Sequence, residues 1–328
     1  MALEISVAFP PSRAAIDHAV MAEKLGYKRA WFYDSPALYP DVWVVLALVA
    51  ERTSTIELGP ATLIPHLRHP MTQAAAIATL VEMAPGRLAV ALGTGFTGRA
   101  TMGKRTLSRD YFERYVRQLR ALLAGEKAEV DGKLCQMMHP AGYGPARPIE
   151  VPFMFGAGGP RGEAFAREQG AATASLNSGF AWSAPLFFGT VLDDGEAPDS
   201  ERAAETIASA SSVRYHATYE RAPETLESLP GGAEWKAAIE AVPDEERHLA
   251  VHAGHLVDAG PIDRSTLDLR AAAPYATFTP EALRERLTGL QSRGATEIMW
   301  QPMGKDIPRE LKTFADAVGL TDGEMAGS

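Results

Sequence analysis

Apolar and polar residues alternate at the start of the chain, where Leu3, Ile5, Val7 and Phe9 fall on one face of an extended segment. The period then lengthens. Ile16, Ala19 and Val20 share one face of a helix that Ser12 can cap and Gly26 can stop. The two periods keep exchanging. Residues 29–33 read as a second strand, and 41–52 as a helix with Val42, Val45, Leu46 and Val49 on one side. Residues 55–62 read as a third strand, and Pro70 opens a helix that runs to Pro85-Gly86. Residues 87–92 form the fourth strand, followed by a helix through Tyr111, Tyr115, Leu119 and Leu122 that ends at Gly125. Four strand–helix units in succession imply a parallel sheet covered by helices, either doubly wound or closed into a barrel.

The second half is less regular. Val130-Asp131-Gly132-Lys133 has the composition of a tight hairpin turn. Residues 152–156 are expected as the fifth strand, 160–169 as a helix, 172–175 as a short sixth strand and 187–192 as the seventh. Residues 193–278 are polar, proline-rich and helical only in places. Leu283, Leu287 and Leu290 line a helix over 280–293, Glu297–Gln301 is the last strand, and 308–318 is a closing helix. The expected organisation is one domain over residues 1–328, with 193–278 as an irregular insertion.

Charge narrows the partners. A net charge of −9 disfavours a nucleic-acid or anionic-membrane partner, since both need a cationic surface. The basic stretch Arg99, Lys104, Arg105, Arg109, Arg114, Arg117 and Arg120 reads as a solvated helix face, with an anion-facing loop as the alternative. Cys135 is the single cysteine, so an internal disulfide and cysteine-based zinc sites are excluded. Met1 to Pro10 lacks the pattern of a secretion signal, and the longest aliphatic run, 43–50, is too short to cross a bilayer. A cytoplasmic location is expected.

Several motifs fail on context. Gly93-Thr94-Gly95-Phe96-Thr97-Gly98 matches a dinucleotide fingerprint, but it sits in the fourth unit and no acidic strand end follows. Gly98 to Arg105 approaches a P-loop, yet Arg105 stands where the magnesium-holding hydroxyl belongs. His248, His252 and His255 are spaced four and three apart, but Gly254 interrupts them and no nearby cysteine or glutamate completes a convincing set. They read as polar packing or a channel wall, and no metal is expected. His69 reads as a helix-entry residue. Ser175, Ser178 and Ser183 lie on no nucleophile elbow.

What remains is a constellation at the strand ends. In a barrel these converge on one face. Small residues crowd there: Gly59, Ala61 and Thr62 at the end of the third strand, Gly93, Thr94 and Gly95 at that of the fourth, and Gly156, Ala157, Gly158 and Gly159 at that of the fifth. Backbone without side chains lets a flat ring lie close. The run 156–159 before Pro160 can form an anion nest at a helix start, with Arg161 beside it.

These blocks resemble the luciferase-like flavin- and F420-dependent oxidoreductases, in particular the branch of methylenetetrahydromethanopterin reductase. The resemblance rests on Leu58-Gly59, Pro65 and Arg68-His69-Pro70, on Gly86-Arg87 with Ala91 to Gly95, and on Val151-Pro152 with Gly158 to Arg161. Two later blocks, Glu246 to Leu256 and Gln301 to Leu311, add to it. It implies a (β/α)₈ TIM barrel that holds F420, or alternatively FMN, at the C-terminal strand ends. It also implies a non-prolyl cis peptide at Ala61-Thr62. Asp34 matches the family's acid after the second strand and is the first candidate for the proton role, with His66 a second. Ser35 stands where several F420 enzymes carry histidine, and Gly98 where reductases of the branch carry aspartate. The implied reaction is hydride transfer between F420 and a small organic substrate, the alternative an FMN monooxygenase or a barrel that binds without turnover. A homodimer packed through helices near 42–49 and 71–81 is expected.

Overall fold

A computed structural model describes residues 2–156 and 158–320. The chain divides into two compact units. The first comprises residues 1–98, 105–186 and 290–299, the second 99–104, 187–289 and 300–328.

The first unit carries the alternation read from sequence. In order come β1 (Glu4–Phe9), α1 (Arg13–Lys24), β2 (Arg29–Phe32), α2 (Val42–Arg52), β3 (Glu57–Pro60), α3 (Pro70–Met83), β4 (Val90–Gly93), α4 (Phe96–Ala100) and α5 (Arg109–Ala124). A hairpin of β5 (Ala128–Val130) and β6 (Lys133–Cys135) follows, then β7 (Phe153–Gly156), α6 (Pro160–Glu168) and β8 (Ala172–Thr173). The local signals act as their chemistry requires. Ser12 Oγ accepts from the Ala15 amide at 3.0 Å, and Gly125 closes α5 in the left-handed region. The hairpin turns on Asp131 and Gly132, both at positive φ.

All sheet pairings among these strands except the hairpin are parallel. β1 pairs β2, β2 pairs β3, and β4 pairs β7, which pairs β8. Further hydrogen bonds link the two sheets. Beyond β3, the Leu63 amide donates to Ala91 at 2.8 Å and Gly93 donates to Leu63 at 3.0 Å. Ala184 donates to Thr173 at 2.9 Å, Glu297 to Ser183 at 3.2 Å, and Glu4 to Thr296 at 3.0 Å. Alanines 8, 61, 89, 91, 172 and 184 pack here against Trp31, Met154 and Met299. Small residues are needed where strands crowd: a methyl on Gly59 would overlap the Ala89 carbonyl oxygen.

One buried polar knot lies among these strands. Glu297 is fully buried, forms an ion pair with Arg29, and accepts from Trp31 Nε1 at 2.9 Å and Trp182 Nε1 at 2.7 Å. Arg29 also pairs with Glu57 and lies over both indoles, 5.1 and 4.7 Å from their centroids. Each oxygen of the buried carboxylate therefore has donors, the condition for burying a charge at tolerable cost.

The second unit holds the segment that sequence periodicity could not resolve. After β9 (Leu186–Phe188) and β10 (Thr190–Val191) come α7 (Glu201–Arg221), α8 (Gly232–Glu240), α9 (Asp244–Val251), α10 (Pro261–Thr266) and α11 (Leu269–Ala272). Next are β11 (Thr277–Phe278), α12 (Pro280–Ser292), β12 (Glu297–Gln301) and α13 (Ile307–Val318), with residues 290–299 counted in the first unit. The strand expected over 187–192 divides in two, because Thr190 and Val191 pair with Thr277 and Phe278. Trp235, Leu226, Ile239, Val251 and Leu267 form one core here, and Trp300 stacks on Phe314 at 3.9 Å. Among the described residues, no helix is long and apolar enough to cross a membrane.

Candidate functional site

Three strand ends of the first unit meet at residues that carry little or no side chain. The Ala61-Thr62 peptide is cis, and Thr62 is half-buried beside two glycines. A methyl on Gly93 would come within 2.5 Å of Thr62 Oγ1, and one on Gly156 within 3.1 Å of Thr62 Cγ2. β4 and β7 run in register here, with Gly93 opposite Gly156. Thr62, Gly93 and Gly156 thus form one floor, and only glycine fits at the second position without displacing Thr62. Thr94 and Gly95 follow, Gly95 at φ 80°, and the Thr94 carbonyl accepts from Leu107 at 2.9 Å.

Asp34 stands two residues beyond β2 and is buried. Its carboxylate accepts from Arg68 Nη1 at 2.8 and 3.0 Å and from the Ile64 amide at 3.2 Å. Arg68 Nη2 reaches Asp41 Oδ2 at 2.7 Å, while Asp41 Oδ1 caps α2 through the Trp43 and Val44 amides. Tyr115 Oη donates to the Arg68 carbonyl at 3.0 Å. Burial pushes the Asp34 carboxyl above the ordinary aspartate range, and Arg68 offsets only part of this. Burial works in the same direction on Asp41, but the Arg68 and α2 hydrogen bonds outweigh it and hold that carboxyl below its usual value.

His66 lies on a short 3₁₀ turn, Pro65–Leu67, and is half-buried. His69 is the helix-entry residue expected, accepting from the Met71 amide through Nδ1 at 3.1 Å. Gly98 is tightly enclosed. A methyl there would lie 2.5 Å from Ile64 Cδ1, 3.0 Å from Ser35 Oγ and 3.1 Å from the Asp34 carbonyl oxygen. A side chain at this position must displace the Ile64 δ-methyl and crowd Ser35 Oγ and the Asp34 carbonyl oxygen.

The glycine loop after β7 leads into α6 with Gly159 at φ 81° and Pro160 at its first turn. Ala157 lies outside the described residues. Arg161, the cation expected beside this loop, is exposed and turned to α5, where it pairs with Glu113 at 2.9 Å and Asp110 at 2.5 Å. The cation against the loop is Arg109, whose Nη2 donates to the Gly158 carbonyl at 3.0 Å. Its Nη1 is buried and has no hydrogen-bond partner among the described residues. A buried, unsatisfied guanidinium nitrogen beside a glycine loop and a helix start suits an anionic oxygen.

The sequence pattern alone puts Arg109 on a solvated helix face and marks Arg68 only as part of a family block. A signal for Arg68 is nonetheless present. The residues just past neighbouring parallel strands lie side by side, so a cation soon after β3 can reach an acid just after β2.

The luciferase-like monooxygenase family model matches residues 4–311. The chain belongs to that family. A relative named F420-dependent glucose-6-phosphate dehydrogenase, from Kineococcus radiotolerans, is 34% identical over 46% of this chain and 48% of its own length. The first curated relatives are thus matched over about half of their length or less. A 5,10-methylenetetrahydromethanopterin reductase from Archaeoglobus fulgidus is 25% identical over 91% of this chain and 92% of its own. Among solved structures, the coenzyme F420-dependent tetrahydromethanopterin reductase of Methanopyrus kandleri superposes with a TM-score of 0.64 at 20% identity, covering 97% of this chain and 99% of that one. An FMN-bound type II Baeyer–Villiger monooxygenase of Pseudomonas putida gives 0.60 at 13%, covering 97% and 98%. At these identities the structures establish a shared fold. The luciferase-like chain joins a family of oxidoreductases, and its parallel strands and helices are those of that fold.

Proposed function

We propose that this chain is an F420-dependent oxidoreductase that moves a hydride between the deazaflavin and a small organic substrate. The observation that carries the reading is the floor of Thr62, Gly93 and Gly156 beside the buried Asp34–Arg68 pair. The names of the F420-dependent relatives support F420 over FMN. The hydrogen bonds that join β1 to β4 in turn, then β7 and β8, and on to residues 183–185 and 296–299 support an eight-stranded (β/α)₈ barrel. We read residues 1–328 as one such domain with an insertion at 193–278. The exposed Val44 and Leu48 on α2 support a homodimer.

When bound, F420 supplies the two-electron chemistry, and the protein supplies orientation, exclusion of water and proton management. Thr62, Gly93, Thr94, Gly95 and Gly156 would floor the ring. Gly158, Gly159, the start of α6 and Arg109 would hold the phosphate, with the Ala157 amide adjoining them in sequence. Arg161, paired with Glu113 and Asp110, would contribute only by leaving those acids. Asp34 holds or accepts a proton at its carboxylate, its affinity raised by burial and tempered by Arg68. His66 is the second candidate for that role.

Titration of the purified protein with F420 and with FMN, followed by fluorescence quenching, tests the cofactor. Saturable F420 binding at least about tenfold tighter than FMN, worth about 1.4 kcal/mol, is expected. Tight FMN binding with none for F420, together with oxygen uptake during turnover, would reverse the reading in favour of a monooxygenase.

A further inference from the structure

Three of the protein's eight histidines converge inside the second unit. His216 lies on α7, His252 ends α9, and His255 follows in the turn before α10. They are 1, 0 and 5% exposed. One ring nitrogen from each lies within 4.8 Å of the others, and the ring centroids are 5.1 to 5.6 Å apart. Gly254, at φ 74°, turns the chain between His252 and His255. His248 points elsewhere, towards Gly103. The sequence spacing therefore misled, because the third member comes from α7 and His248 takes no part.

The surroundings indicate which nitrogen of two of the rings carries the proton. His216 Nε2 lies 3.2 Å from both oxygens of Asp263, a buried carboxylate that also accepts from Trp235 Nε1 at 2.7 Å and the Gly260 amide at 2.9 Å. His252 Nε2 lies 3.3 Å from Glu220 Oε1. A carboxylate behind the ring places the proton on the nitrogen that faces it and leaves the other as a bare lone pair. For His216 that lone pair is Nδ1, which sits 3.2 Å from His255 Nδ1. For His252 it is also Nδ1, which is buried with no hydrogen-bond partner among the described residues. Two nitrogens on a tetrahedral zinc ion, each bonded at 2.0–2.1 Å, stand about 3.4 Å apart.

We propose that His216, His252 and His255 form a binding site for one divalent transition-metal ion of the zinc class, backed by Asp263 and Glu220. The site is separate from the strand-end site and independent of the cofactor reading. Burial beside the Trp235 ring puts the ion inside the helical unit. It ties α7 to the segment after α9 within the helical unit. Both backing acids are engaged behind the imidazoles, so the ion keeps three nitrogen ligands and one further position for water. The competing arrangement is a plain histidine–histidine hydrogen bond between His216 and His255, which gives the unpartnered nitrogen of His252 no task.

The test uses tag-free, full-length protein freed of metal with a chelator and loaded with cobalt(II) or zinc(II). One ion per chain retained after gel filtration, a ligand-field spectrum typical of four-coordinate cobalt, and a higher unfolding temperature with zinc are expected. His252→Ala should weaken retention at least tenfold. If that variant misfolds by circular dichroism, the wild-type spectrum still decides. Substoichiometric metal, or a six-coordinate cobalt spectrum, overturns the proposal. So does equal retention in a folded His252→Ala protein.

Discussion

Gly98 packs against the backbone of Asp34, and each of the two is set by what its neighbours leave room for. Asp34 is buried, so its carboxyl binds a proton more readily than an exposed aspartate does. Asp34→Asn keeps the shape and removes the titration. Turnover should fall by about 10²–10⁴-fold, the usual weight of a general acid or base, while F420 quenching persists. The pH–rate limb that belongs to this acid should vanish with it. A variant that turns over at the wild-type rate removes Asp34 from the mechanism. Gly98→Asp introduces the residue type that the sequence resemblance leads one to expect there. With Ser35 Oγ and the Asp34 carbonyl 3.0 and 3.1 Å from its Cβ, it should cost about 1–3 kcal/mol by overpacking and bring no gain in rate. Urea denaturation reads the loss. An unchanged midpoint would show that the enclosure yields.

At the level of elements, the periodic part of the chain was legible and the rest was not, for a physical reason. β1 to β4 alternate with α1, α2, α3 and α5, and the end signals Ser12, Pro70 and Gly125 act within a few residues of themselves. Such information is local. β9 and β10 are only three and two residues long, so no alternation could mark where one ends. α7 is rich in alanine and serine, which leaves its apolar face faint despite its 21 residues. The strand-end glycines were legible from composition at loop starts, but Arg68, Arg109 and His216 were not. Their partners lie 34, 49 and 39 residues away in sequence. One start signal in α7 can be tested directly. Partial burial opposes the charge of Glu196, yet Arg202, the Ser200 hydroxyl and the Asp193 amide outweigh it and bring its pKa down to about 2. Its contribution is therefore present above the ordinary glutamate value and is lost as pH falls towards 2. Glu196→Gln should unfold at lower denaturant at pH 7, and the gap to wild type should close between pH 5 and 2. A gap constant with pH would mean that charge plays no part.

For the molecule as a whole, stability should hinge on the Arg29–Glu297 knot. Arg29→Ala leaves a fully buried carboxylate with only two indole donors, and should cost about 3–5 kcal/mol in equilibrium unfolding. A loss under about 1 kcal/mol would show that Glu297 takes up a proton at little cost instead. The assembly is tested at α2, where Val44 and Leu48 are 62 and 47% exposed. The double change Val44→Glu, Leu48→Glu should yield monomers in light scattering if this face joins two copies. A dimer that survives it would move the interface elsewhere. The fork of Arg68 carries the last consequence. One of its arms ends on a half-exposed aspartate that the surrounding electrolyte can shield, the other on an interior one. Dissolved ions that mask Asp41 relax both its repulsion of Asp34 and its claim on the guanidinium, and both changes ease release of the interior proton. Acidity at the heart of the candidate site is thereby tuned by the saltiness of the solution outside.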